Sequence, residues 1–151
     1  MISHFTSLFN YDKHANLQLL DCIFEANQPE KAVKLMAHIL GAQQVWLSRC
    51  RHDNATGLVI WPDWQAIQLK YIIEENHLAW LDFLSKLTTD DLENEISYVT
   101  SKGVPFTDKL VNILSHVINH GTHHRAQIGC EVKTAGLASL PITDYIFYIR
   151  Q

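Results

Sequence analysis

Apolar residues recur at three- and four-residue intervals through four long stretches, the spacing of a helix that buries one face. The first runs from about Phe5 to Ala26 and carries Phe5, Leu8, Phe9, Leu19, Leu20, Ile23 and Phe24. Asn27-Gln28-Pro29 ends it, and Pro29 suits the first turn of the next. The second stretch runs from about Glu30 to Arg51, before Asp53-Asn54-Ala55-Thr56-Gly57 breaks the pattern. A third is expected from near Asp63, after Pro62, to about Lys86, with Ile67, Tyr71, Leu78, Leu81 and Phe83 as its apolar residues. Ile96 to Thr100 and Gly103 to Phe106 lean toward β structure and read as a short hairpin or an ordered loop, the hairpin being favoured. Thr107 or Asp108 can cap a fourth helix that continues to about Thr134 and ends near Gly136. A short fifth helix is expected from Asp144 to Arg150. The pattern predicts an all-α four-helix bundle, one domain over residues 1–151, with one longer connection between helices three and four.

Composition narrows the classes of function. At 151 residues the chain can bury one core, and 47% hydrophobic with 19% charged residues fits a soluble globular protein. A formal net charge of −4 without a basic cluster argues against duplex DNA or an anionic membrane surface as the main partner. No apolar run approaches the roughly 20 residues of a membrane span, and Met1 to Phe5 lacks the regions of a signal peptide. Cys22, Cys50 and Cys130 are widely spaced and odd in number, which reads as reduced thiols in a cytoplasmic protein.

Candidate chemistry concentrates in the fourth helix. His116, His120, His123 and His124 fall within nine residues. Residues four apart stack on one helical face, a spacing that lets two imidazoles grip one divalent ion. On a wheel of about 100° per residue, Leu110, Ile113, Leu114, Val117, Gly121 and Ile128 form the apolar stripe. His124 lies near its centre and His120 at its edge, while His116 and His123 point away. Gly121 would let a neighbouring group approach closely. The same spacing also serves two buried imidazoles bonded to each other or to backbone.

A third ligand must come from elsewhere, and His38 is the best candidate, on the seam of Leu35, Ala42 and Val45. On pattern alone a core histidine explains His38 better. His116 and His123 read as solvent-facing or supporting residues, and either can substitute as a ligand. His4, His52 and His77 read as surface residues. Trp46, Trp61, Trp64 and Trp80 read as packing residues, and Cys130 lies too far along the helix to ligate.

These residues resemble a known family. Tyr11 to Asn16, Ala37 to Leu40 with Trp46 to Arg49, Asn119 to Gln127, and Pro141 to Tyr145 with Tyr148 are similar to the motifs of the DinB/YfiT-like superfamily of metal-dependent four-helix bundles. The chain departs from the usual motifs at His14, where an aromatic is common, and at Ala126, where glycine is common. The resemblance implies a metal site of His38, His120 and His124 for nickel, zinc or iron. It also implies a homodimer, and for some relatives a transferase or isomerase reaction using a low-molecular-weight thiol. Many members have no known activity.

A metal held by three imidazoles keeps open positions and can bring the pKa of a bound water or thiol toward about 7. Hydrolysis or S-transfer of a small-molecule substrate would follow. The ligands must be neutral, so metal loss is expected below about pH 6. Asn119, Asp144 and Arg125 are candidates to orient the imidazoles. No Glu stands inside the histidine motif, which counts against the His-Glu-x-x-His protease chemistry. The alternative is a non-catalytic metal-binding or stress-response protein acting through a protein interface. A bundle whose histidines serve no physiological metal is a third reading.

Overall fold

The structure is a computed structural model that describes residues 1–53, 57–100 and 102–151. Four long helices carry the chain: α1 (Ile2–Glu25), α2 (Glu30–Cys50), α3 (Ala66–Ser85) and α4 (Leu110–Thr134). A 3-10 turn (Asp90–Glu93), strands β1 (Glu95–Val99) and β2 (Pro105–Lys109), and the single-turn α5 (Tyr145–Tyr148) complete the described elements. This is an all-α helical bundle with one small hairpin. Helices α1 and α2 each pack on both α3 and α4, which sets α1 across the bundle from α2, and α3 across from α4.

Helix ends follow local chemistry. Pro29 is the N-cap residue of α2, one position before its first turn, where a missing N–H costs no helical hydrogen bond. Past α4, Gly136 adopts φ +103°, the left-handed conformation that closes a helix. Two expected starts shift. α3 begins at Ala66 rather than near Asp63, because Pro62 is held against Gly41 of α2 and the chain stays extended beyond it. There the Gln68 side chain accepts the Gln65 N–H at 2.8 Å. Neither Thr107 nor Asp108 caps α4, because both are committed to β2. The β1–β2 register pairs Ser97 with Thr107 and Ile96 with Asp108. The Asp108 carboxylate accepts the Tyr98 hydroxyl at 2.8 Å. Of the break expected after α2, Asn54, Ala55 and Thr56 lie outside the described residues.

The core holds two apolar clusters. Ile23, Met36, Ile39, Leu40, Leu69, Ile73, Ile128 and Val132 fill one end. Phe9, Trp80, Leu84, Leu92, Leu114 and Val117 fill the other, where Phe9 stacks on Trp80. On α3 the buried seam is Leu69, Ile73, Asn76, Trp80 and Leu84, while Ile67, Tyr71 and Leu78 face solvent. Both faces of α3 are apolar, so polar satisfaction separates them. Buried Asn76 donates to the Leu40 carbonyl at 3.0 Å and to the Gln43 side chain at 3.2 Å, and only one face of α3 reaches those partners.

Between the clusters lies a buried polar group. Arg125 of α4 forms an ion pair with Asp12 of α1, their side chains 3% and 4% exposed, and also donates to Asn16 at 3.0 Å. Asn16 and Gln43 donate to the second Asp12 oxygen at 3.0 and 2.7 Å. A buried charge pair tolerates desolvation only when its remaining lone pairs are bonded, as they are here. Gly121 makes room for it: a Cβ there would lie 2.7 Å from an Asp12 carboxylate oxygen. The close approach anticipated at Gly121 is therefore that of Asp12.

Candidate metal centre

Packing of α2 on α4 brings His38, His120 and His124 together, each offering a ring nitrogen within 4.8 Å of the others. Ring centroids are 4.8 Å apart for His38 and His120, 4.6 Å for His38 and His124, and 4.5 Å for His120 and His124. Helical stacking of residues four apart aligns the α4 pair. His38 is buried and the α4 pair is half-buried, so the cluster reaches solvent from the α4 side.

Hydrogen bonds fix which nitrogens are free. His38 Nδ1 lies 2.8 Å from the Ile60 carbonyl, which can only accept, so Nδ1 carries the proton and Nε2 the lone pair. The Gln127 amide nitrogen lies 3.2 Å from His123 Nε2, which turns Gln127 Oε1 toward His124 Nδ1 at 2.7 Å. His124 then donates from Nδ1 and keeps its lone pair on Nε2. The Nε2 atoms of His38 and His120 are 3.1 Å apart. Two nitrogens on one tetrahedral zinc, each about 2.0–2.1 Å from it, would be about 3.3 Å apart. An all-imidazole set fits a divalent zinc, nickel, copper or iron ion and poorly suits calcium or magnesium.

Electrostatics keep His38 and His120 neutral. Burial first, then the neighbouring imidazoles, pushes the His120 pKa down to about 3. Burial also lowers His38. Neutral imidazole is the form with a lone pair to give.

The supporting residues are not those expected. Asn119 and Asp144 are exposed, with no hydrogen bond to the histidines among the described residues. Arg125 is spent on Asp12 and orients the bundle instead. Ile60 and Gln127 hold the rings. Gln127 was findable, since it lies three residues after His124 and four after His123 on one helical face. Ile60 acts through its backbone, and no side-chain pattern announces that.

Trp61, next in the chain, stacks on His38 at 3.7 Å and 7° while remaining 58% exposed. It is a cover on the site, not core packing. Trp80 is core, and Trp46 packs edge-on against Tyr98 and His116. His116 and His123 are exposed, outside the three-nitrogen cluster. His4 and His52 are exposed as expected, but His77 is half-buried with Nδ1 lacking a hydrogen-bond partner among the described residues.

A helical bundle with a three-histidine cluster between two helices defines a class of candidate metal-binding proteins. The chain belongs to the DinB family, whose sequence model matches residues 25–151, a span that includes all three histidines. It is 51% identical over 37 residues to Protein DinB of Bacillus subtilis (strain 168), a stretch covering 24% of this chain and 21% of that protein. The chain thus matches only about a fifth of that relative's length. No solved structure matches it. Among the described residues, no helix is long and apolar enough to cross a membrane.

Proposed function

We propose that this DinB-family protein is a metal-dependent enzyme, a hydrolase or a transferase using a low-molecular-weight thiol, with His38, His120 and His124 as its ligands. The observation that carries the reading is the convergence of three ring nitrogens within 4.8 Å, with two of the rings already fixed through Nδ1. A divalent ion there supplies Lewis acidity and lowers the pKa of a water or thiol on its open side.

The chain's own part is positional. Ile60 and Gln127 set the tautomers of His38 and His124, so each ring keeps its lone pair on Nε2. Burial holds His38 and His120 unprotonated at neutral pH. Trp61 covers one face of His38 and limits water there. Three protein ligands leave room for a substrate, unlike the four of a structural site. The reading includes a cytoplasmic homodimer, supported by three free cysteines and by exposed Ile67, Tyr71 and Leu78 on α3.

The test is elemental analysis of tag-free protein purified without nickel resin, wild type beside His124→Ala. The expected result is about one transition-metal ion per chain in wild type and a large loss in the variant. Equal metal in both, or none in either, overturns the ligand assignment.

A further inference from the structure

A cleft of about 690 Å³ lies beside the histidine cluster and is lined by Val45, Arg49, Asp53, Leu58, Ile60 and Trp61 among others. Its wall is thus shared with the residues that hold and cover His38. On α2, Val45 and Arg49 follow His38 by seven and eleven residues, which puts all three within about 20° of one helical face. Arg49 sits about 16 Å along the axis from His38.

Arg49 is held as a fixed cation. Its guanidinium lies 4.4 Å from the Trp46 ring centre and 4.6 Å from that of Tyr98. One of its nitrogens donates to the Val99 carbonyl at 3.3 Å. Arg51 and Arg125 each meet a carboxylate, but among the described residues none lies within 4.0 Å of Arg49. Asp53 lines the same cleft without pairing to it. A half-buried guanidinium resting against two rings that pack edge-on on each other, with donors unspent and apolar walls nearby, is suited to receive a carboxylate.

We propose that this cleft binds a small organic acid, its carboxylate on Arg49 and its apolar body along Val45, Leu58 and Trp61. That the acid is the substrate of the histidine site rests on the function proposed above; its capture by Arg49 does not. Arg49 is a specificity residue, about three helical turns from the reacting centre.

The probe is hexanoate against its neutral match, hexanamide, titrated by calorimetry into metal-free and zinc-loaded wild type, Arg49→Gln, Arg49→Lys and His124→Ala. Hexanoate is expected to bind wild type with or without zinc and at least about tenfold tighter than hexanamide. Arg49→Gln should lose that preference. Arg49→Lys, which keeps charge but not the planar fork, should retain part of it and serves if Arg49→Gln fails to fold. His124→Ala should bind hexanoate normally, so a failed metal assignment leaves this result readable. Equal binding of acid and amide, full affinity in Arg49→Gln, or binding seen only with zinc and lost in His124→Ala overturns the proposal.

Discussion

At the scale of single residues, the site depends on which nitrogen of each imidazole is free, and that is decided by atoms outside the three rings. Gln127 is the clearest case, because its amide is turned by His123 and in turn holds His124. Gln127→Leu keeps the volume but removes the acceptor, leaving His124 free to rotate or change tautomer. Metal affinity should fall about 10- to 100-fold, the usual cost of removing a group that orients a ligand. Competition with a chromophoric chelator measures it, with circular dichroism to show the helices intact. Unchanged affinity would mean that α4 alone orients His124. His120 and His124 were legible in sequence because four-residue spacing and an apolar stripe identify a helical face, whereas His38 was singled out as a ligand by the family resemblance. Ile60 was not, because its contribution is a carbonyl whose position depends on where its loop lies.

At the scale of elements, the segment from Gly57 to Gln65 governs one side of the site. It crosses α2 at Gly41, three residues after His38, where a Cβ would lie 2.7 Å from both Pro62 Cδ and the Val59 carbonyl oxygen. Lacking a side chain, Gly41 lets the backbone lie flat on the helix, and this crossing delivers Ile60 and Trp61 to His38. Gly41→Ala should lift the segment, costing about 1–3 kcal/mol as overpacking does. It should also weaken metal binding by removing the Nδ1 acceptor. Urea unfolding and metal titration read the two effects. A variant that loses stability but keeps wild-type affinity would show that His38 does not need Ile60. The hairpin has the opposite history. Its β-branched and aromatic residues were visible in sequence, but its ladder took Thr107 and Asp108, which local capping preference assigned to α4.

At the scale of the whole molecule, burial of uncharged histidines ties stability to pH. Burial is the leading cause of the lowered pKa values of His38, His77 and His120, the last reaching about 3. Histidine in an unfolded chain titrates near 6.5. Between about 6.5 and 3 the unfolded state therefore binds more protons than the folded one, and stability rises with pH. Metal-free protein should keep its full stability above about pH 6.5 and lose it progressively as pH falls through that window. Urea midpoints at pH 7.5, 6.0 and 4.5 give the check. A midpoint that is flat or rises toward acid would mean that these rings are not desolvated in the native state.

The sequence by itself determined the four long helices and the inward facing of His120 and His124, because these follow from a periodicity of 3.6 that each segment expresses alone, and it favoured the hairpin over an ordered loop without deciding between them. It also marked His38, though on pattern alone that residue read better as core. Tertiary structure decided what no segment contains. It set α1 and α2 across the bundle from each other, turned the Leu69 and Trp80 face of α3 inward rather than the Ile67 and Tyr71 face, and gave Arg125 to Asp12 instead of to the histidines. The physical reason is common to all three. Each choice is made by a buried polar group finding its partner on another helix, and such partners become neighbours only when the chain has folded.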